Sequence, residues 1–246
     1  MKTEIIYGFH PVFEALKAAR RKIFEVQIAG DKLSRRLEKV AALAASLNID
    51  VRLVKTSRLN QSAGTAQHQG VLATVSLFPL KNIANIIDKL GSAHQNQLLV
   101  LVDSVLDPQN LGAIIRTAVA AGVDAVVIPK NRSASPTPAV SKASAGALEH
   151  VNMARVTNMV TAIKMLKAKG IWIFGLDGAA DLSIYSVDLM GPVAVVIGGE
   201  EKGIRSLVKQ HCDSLVSIPQ RGPVNSLNAS AAAAVVMYEI VRQRTH

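Results

Sequence analysis

The chain has 246 residues, 49% of them hydrophobic, and a formal net charge of +10. Its length allows one large domain or a small domain beside a medium one, and its hydrophobic content excludes a disordered chain. No stretch of about 20 uncharged apolar residues is present, and the N-terminus lacks the apolar stretch of a signal peptide. Cys212 is the single cysteine, which excludes disulfides and cysteine-metal clusters within the chain. These features predict a cytoplasmic protein with no metal site and no membrane association.

Positive charge is densest near the N-terminus. Residues 1–76 contain 12 Lys/Arg and 6 Asp/Glu, a net +6, whereas residues 77–246 contain 16 and 12, a net +4. A basic surface raises the local concentration of polyanions, so nucleic acid is the leading class of partner, and plain solubility is the alternative explanation. The chain has only three Tyr, five Phe and one Trp, so we expect base stacking on aromatic side chains to contribute little.

Residues 4–76 alternate short helices and strands, which is typical of a compact α/β module of about 75 residues. Apolar spacing predicts helices over 11–19 and 33–47 and strands over 23–29, 51–55 and 70–75. The second helix has a basic outer face. Candidate contacts to nucleic-acid phosphates are Arg35, Arg36, Lys39, Arg52 and Lys55.

Residues 77–96 change character and predict a linker that holds one short helix. We therefore divide the chain into a domain over 1–76, this linker, and a second domain over 97–246. In the second domain the predicted strands are 98–102, 125–128, 153–156, 171–175, 193–197 and 214–218, with helices between them and a last helix over 230–244. Such alternation predicts an α/β fold with a parallel sheet covered on both faces.

In open parallel sheets, ligands bind at the carboxyl ends of strands. Three predicted strand ends carry unusual residues: Asn110 to Arg116, Gly198-Gly199-Glu200, and the loop from Ile218-Pro219 to Ser226-Leu227-Asn228. A guanidinium such as Arg116 can clamp a phosphate, and paired glycines permit close approach of a ligand to the backbone. The plainer alternatives are a solvated arginine, helix-capping Asn and Ser side chains, and an exposed carboxylate. No GxGxxG fingerprint follows residues 98–102, which argues against a nicotinamide-dependent enzyme.

Together and in this order, these motifs resemble those of the SpoU (TrmH-like) family of SPOUT RNA methyltransferases. The match consists of Asn-x-Gly-x-x-x-Arg at 110–116, Gly-Gly-Glu at 198–200, and Ile-Pro through Ser-Leu-Asn-x-Ser ending at Ser230. The N-terminal module, with Tyr7-Gly8 near its start and His68-Gln69-Gly70 near its end, resembles the family's substrate-binding domain, whose fold is like that of ribosomal protein L30e.

The resemblance implies a C-terminal SPOUT domain with a deep trefoil knot, and a homodimer formed through that domain. It implies S-adenosylmethionine as the cofactor, bound by Gly198, Gly199, Glu200, Ile218, Pro219 and Leu227. The catalytic residues that it implies are Arg116, Asn110, Glu200, Ser226 and Asn228, with Arg116 either as the base or as a charged clamp on the neighbouring phosphate.

The implied activity is 2′-O-methylation of a guanosine ribose in large-subunit ribosomal RNA. A tRNA ribose methyltransferase of the same family is the second reading, and a noncatalytic RNA-binding protein is the third.

Overall fold

The computed structural model describes residues 2–30, 34–90, 96–223 and 226–245. The chain divides into two compact units, one of Met1–Pro79 with Pro136–His150 and one of Leu80–Ser135 with Val151–His246. The prediction from sequence kept Pro136–His150 within the 97–246 domain. In the structure this segment instead packs with the N-terminal unit.

The described residues form strands and helices that we number in chain order. Strands β1 to β10 are Thr3–Tyr7, Ile23–Ala29, Asp50–Val54, Val71–Ser76, Leu98–Asp103, Ala125–Pro129, Met153–Val156, Trp172–Leu176, Val193–Gly198 and Ser214–Val216. Helices α1 to α9 are Phe9–Ala18, Arg35–Ser46, Thr56–Ala63, Ile83–Leu90, Pro108–Ala120, Pro138–Ala143, Met159–Lys167, Ser206–Lys209 and Ala229–Thr245.

The N-terminal unit is built on a four-stranded mixed sheet in the order β1-β4-β2-β3, in which only β2 and β3 are parallel. Its core is formed by apolar side chains of the sheet and of α1 and α2, such as Val12, Leu16 and Val40. The amino-acid pattern had not indicated β1 or α3. Helix α3 is largely polar and buries only Leu59, so it lacks the apolar stripe by which helices are recognised.

A buried ion pair attaches the segment Pro136–His150 to this unit. The Arg21 guanidinium donates to both carboxylate oxygens of Glu149, at 2.8 and 2.7 Å, and also to Glu4. The side chain of Arg21 is fully buried, and its guanidinium lies over the ring of Phe78. Because a buried charge is costly unless it is paired, this contact makes Glu149 an integral part of the N-terminal fold.

The motifs Tyr7-Gly8 and His68-Gln69-Gly70 meet at the start of α1. Gln69 Oε1 accepts the backbone N–H of Phe9 at 3.0 Å, and His68 Nδ1 accepts the N–H of Gly70 at 3.0 Å. Burial lowers the pKa of His68, in keeping with a neutral ring that accepts at Nδ1. These residues therefore hold the turn and cap the helix.

The C-terminal unit is built on a six-stranded sheet in the order β10-β8-β9-β5-β6-β7, with every pair parallel. The central strand β5 is buried along its whole length. Leu99 and Leu101 of β5 face the core formed with α4 and α7, while α5 and α9 pack together and α9 contacts β9. The predicted parallel sheet is thus confirmed.

Candidate active site

A cleft of about 170 Å³ opens in the C-terminal unit, where the loops that follow β8, β9 and β10 meet. These three strands are neighbours in the sheet, so their carboxyl ends lie along one edge. The cleft is lined by Leu176, Gly178, Ile197, Gly198, Gly199, Glu200, Gly203, Ile218, Gln220, Ser226, Leu227, Ala229 and Ala232. Apolar side chains and strand-end backbone thus surround one carboxylate, that of Glu200.

The paired glycines at the end of β9 are required by the neighbouring backbone. A Cβ at Gly198 would collide with the backbone of Gly203 and Ile204, and one at Gly199 would collide with the carbonyl oxygen of Ser104. The loop folds back sharply, because the N–H of Gly203 donates to the carbonyl of Gly199 at 2.9 Å. The glycines were predicted to permit the approach of a ligand. In the structure they allow the loop after β9 to fold back on itself and to pack against the loop after β5.

A buried carboxylate holds this loop against the central strand. Asp103, the last residue of β5, is fully buried and accepts the backbone N–H of Arg205 at 3.0 Å and its Nη2 at 2.5 Å. Burial without this pairing would be costly, so Asp103 and Arg205 fix where the loop after β9 ends.

Three side chains from the three predicted motifs form a hydrogen-bond chain beside the cleft. Asn228 Nδ2 donates to Asn110 Oδ1 at 2.9 Å, and Asn110 Nδ2 donates to Glu200 Oε1. Asn228 also caps α9, since its Oδ1 accepts the backbone N–H of Ser230 at 2.9 Å. The Asn228 side chain thus caps α9 and also donates to Asn110 in the chain that joins the three motifs.

Most of the residues predicted for the site come together. Gly198, Gly199, Glu200, Ile218, Ser226 and Leu227 line the cleft, and Asn110 and Asn228 join Glu200 through the chain. Pro219 is not among the lining residues, whereas its neighbour Gln220 is. Arg116 is exposed on α5, does not line the cleft, and makes no hydrogen bond or ion pair among the described residues.

Sequence reasoning missed the contribution of β8. Leu176 and Gly178 line the cleft because β8 lies between β9 and β10 in the sheet. The signal was available: Asp177-Gly178 follows an apolar run in the same way that the other motifs follow theirs. No comparable signal marks Ala229 and Ala232, because alanine at the start of a helix is explained by its helix propensity alone.

Cys212 is not a nucleophile candidate, because burial raises its pKa to about 11. In the described ranges no group of three or more His, Cys, Asp or Glu side chains is placed to hold a metal ion. No described helix is both long and apolar enough to cross a membrane.

Family models match both parts of the chain. The model of the SpoU rRNA Methylase family matches residues 97–238, and the model for RNA 2′-O ribose methyltransferase substrate binding matches residues 5–80. The 23S rRNA (guanosine-2′-O-)-methyltransferase RlmB of Xanthomonas campestris is 42% identical over 97% of this chain and 96% of its own length. The enzyme of the same name from Haemophilus influenzae is 41% identical over 98% of each chain.

A solved structure extends the likeness to the fold. The SpoU methyltransferase AviRb from Streptomyces viridochromogenes, crystallised with S-adenosylmethionine, superposes with a TM-score of 0.83 at 25% identity, covering 98% of this chain and 90% of that one. The model match over the whole cleft-bearing sheet, the full-length relatives and this superposition lead to one conclusion. The chain belongs to the SpoU rRNA Methylase family.

Proposed function

We propose that the protein transfers a methyl group from S-adenosylmethionine to the 2′-hydroxyl of a guanosine ribose in 23S ribosomal RNA. One observation carries the proposal: the second and third motifs line a single cleft, and the first motif joins them through the Glu200–Asn110–Asn228 hydrogen-bond chain. Relatives that bear this activity in their names match over nearly the whole chain. Action on ribosomal RNA agrees with the basic N-terminal region and with a cytoplasmic location.

The residues of the cleft fit S-adenosylmethionine. Apolar side chains of Leu176, Ile218 and Leu227 suit a flat purine, and the backbone at Gly198 and Gly199 offers polar groups at a strand end. The Glu200 carboxylate suits a ligand that carries positive charge and hydroxyl groups. When bound, the cofactor supplies an electrophilic methyl group on a sulfonium. We assign its binding to Gly198, Gly199, Glu200, Ile218, Pro219 and Leu227.

The ribose hydroxyl is a poor nucleophile until its proton is leaving, so a base or an orienting group must act on it. We assign this role to Arg116. A guanidinium stays protonated at neutral pH, which favours the version in which Arg116 grips the adjacent phosphate and orients the hydroxyl while phosphate or water accepts the proton. Asn110, Glu200, Ser226 and Asn228 would hold the ribose and the reacting groups in register.

A homodimer would complete the site. Arg116 is exposed and does not line the cleft of its own chain, so we propose that it acts on the cleft of a partner subunit. Helix α9 packs on α5. The outer face of α9 carries Ala231, Val235 and Tyr238, the last of which is 51% exposed. This stripe of small and apolar side chains suits a symmetric contact with a second copy.

The N-terminal unit is proposed to bind RNA as an L30e-like domain, chiefly through the exposed basic face of α2. The trefoil knot expected from the family belongs to the same proposal. Threading of the chain after β10 would hold the loop that ends at Asn228 over the cleft, which suits a pocket built largely from backbone.

The test is to incubate the protein with radiolabelled S-adenosylmethionine and separated ribosomal and transfer RNA, then to map the label by mass spectrometry. We expect the label in a 2′-O-methylguanosine of 23S rRNA. The Glu200→Ala variant is the negative control and should leave the RNA unlabelled. Label in tRNA alone would show that tRNA, and not 23S rRNA, is the substrate. If naked rRNA and ribosomal precursor particles both stay unlabelled, the result would support a noncatalytic RNA-binding protein.

A further inference from the structure

We infer that Ser230 is a positioning residue that fixes the orientation of the Asn228 amide, and with it the direction of the hydrogen-bond chain that ends on Glu200. The inference rests on the proposed function only in that the cleft is taken to bind S-adenosylmethionine. It assigns a role to the last residue of the third motif, which neither lines the cleft nor touches Glu200.

The direction of the chain follows from which groups can only donate. The backbone N–H groups of Ser230 and Ala231 point at one atom of the Asn228 side chain, at 2.9 and 3.3 Å. That atom must therefore be the oxygen, because an amide nitrogen there would face two donors. The Ser230 hydroxyl lies closest, at 2.6 Å, and donates to the same oxygen.

Each later link is then forced. With its oxygen held at the start of α9, Asn228 can present only its NH₂ group to Asn110, whose oxygen accepts at 2.9 Å. Asn110 in turn presents its NH₂ group to the Glu200 carboxylate. The positive end of the α9 dipole is thus relayed through two amides, and Glu200 is held on the cleft wall as an acceptor.

A chain with a direction can be reversed, and this gives a sharp test. In Asn228→Asp the new carboxylate still caps α9, but it offers an acceptor to Asn110. Asn110 must then turn its NH₂ group toward position 228 and its oxygen toward Glu200, where two acceptors meet. Adding Glu200→Gln supplies an amide that can donate to Asn110, so the double variant can run the chain backwards.

We expect Asn228→Asp to lower S-adenosylmethionine affinity about 10-fold by titration calorimetry, and the double variant to recover to within about 3-fold of Glu200→Gln alone. The matched control is Asn158→Asp. Asn158 caps α7 with the same geometry, accepting the N–H groups of Val160 and Thr161 at 2.8 and 3.2 Å. The Asn158→Asp variant should bind S-adenosylmethionine with the same affinity as the wild type.

The role of Ser230 is tested by Ser230→Ala and Ser230→Thr. We expect the alanine variant to bind S-adenosylmethionine about 3-fold more weakly, with the KM for RNA unchanged, and the threonine variant to restore binding because it keeps the hydroxyl. If the alanine variant equals the wild type, Ser230 has no positioning role. Additive losses in the Asn228→Asp, Glu200→Gln cycle would overturn the directed chain itself.

The same cycle can be read without cofactor. We expect the thermal midpoint of the unligated chain to fall by about 2–4 °C in Asn228→Asp and to rise again in the double variant. This readout keeps the two ideas separate. A wild-type chain that fails to bind S-adenosylmethionine contradicts the proposed function, whereas absence of thermal recovery contradicts the chain.

Discussion

The Asn228 side-chain amide donates to Asn110 Oδ1 at 2.9 Å, although 118 positions separate the two residues. One stands in the first turn of α5 and the other just before α9, and these two helices pack against each other. The contact therefore couples the first and third motifs directly. The second motif joins through Glu200, so a change in any one of the three side chains is expected to reach the other two.

Asn110→Asp should reduce methyl transfer about 30- to 100-fold, because it places a carboxylate against the Glu200 carboxylate and removes a charge-assisted hydrogen bond. The quantity to measure is kcat/KM with rRNA. Gln109→Glu is the control, since it adds the same charge at the neighbouring exposed position. Equal activity in both variants would take Asn110 out of the mechanism.

Mixing two inactive variants tests whether Arg116 acts across a dimer. Arg116→Ala and Glu200→Ala should each be inactive alone. Co-expressed, they should regain about a quarter of wild-type activity, because half of randomly formed dimers are mixed and each mixed dimer keeps one intact site. Each variant co-expressed with itself is the control. Failure to recover activity in purified mixed dimers would place Arg116 and Glu200 of the same chain in one site.

Removing the cation from the buried pair should destabilise the N-terminal unit strongly. Arg21→Met leaves Glu149 buried without a counter-charge, and we expect a loss of about 3–5 kcal/mol in the free energy of unfolding at neutral pH, measured in urea. Lys39→Met, on the exposed face of α2, controls for the loss of a positive charge. A loss no larger than that of the control would show that the pair contributes little.

The pH dependence of this pair has a defined sign. Burial raises the pKa of Glu149 above its ordinary value of 4.5, and the Arg21 guanidinium opposes the shift. A carboxyl with a raised pKa binds more protons in the folded state, so its contribution is fully present below about pH 4.5 and is lost as the pH rises. The cost of Arg21→Met should therefore grow between pH 4.5 and neutrality. A pH-independent cost would contradict the assignment.

The basic face of α2 should carry the salt dependence of RNA binding. Replacing Arg35, Arg36 and Lys39 by alanine should lower the slope of log K against log salt by about 2–3, with S-adenosylmethionine affinity unchanged. Arg52→Ala is the control. Although Arg52 is also exposed, its guanidinium bonds Asp50 at 2.8 Å and pairs with Glu25 at 3.4 Å. An unchanged slope in the triple variant would move the RNA contacts elsewhere.

The sequence predicted the sheet of the C-terminal unit well, because β5 and β9 are continuous apolar runs, which are typical of a parallel strand covered on both faces. It also predicted that Gly198, Ile218 and Leu227 meet, since the carboxyl ends of parallel strands share one edge. The hydrogen-bond chain was beyond its reach, because amide orientations depend on coordinates and not on spacing.

Contacts between distant segments account for the remaining differences. Pro136–His150 follows β6 in the chain and was predicted to belong to the C-terminal domain, yet Glu149 pairs with Arg21, 128 positions away. No local sequence pattern around Glu149 indicates that its partner is Arg21. Strand β1 was missed as well; it pairs with β4, where Thr3 lies opposite Ser76.

The discontinuous N-terminal unit has a consequence for synthesis of the chain. Its sheet is complete once residue 76 has been translated, but Arg21 gains the Glu149 carboxylate only after about 70 further residues have left the ribosome. During that interval Arg21 has the Glu4 carboxylate as a partner but lacks the two hydrogen bonds to Glu149. The Arg21–Glu149 pair forms only after β5 and β6 have been synthesised, so the N-terminal unit reaches its final packing when part of the C-terminal unit already exists.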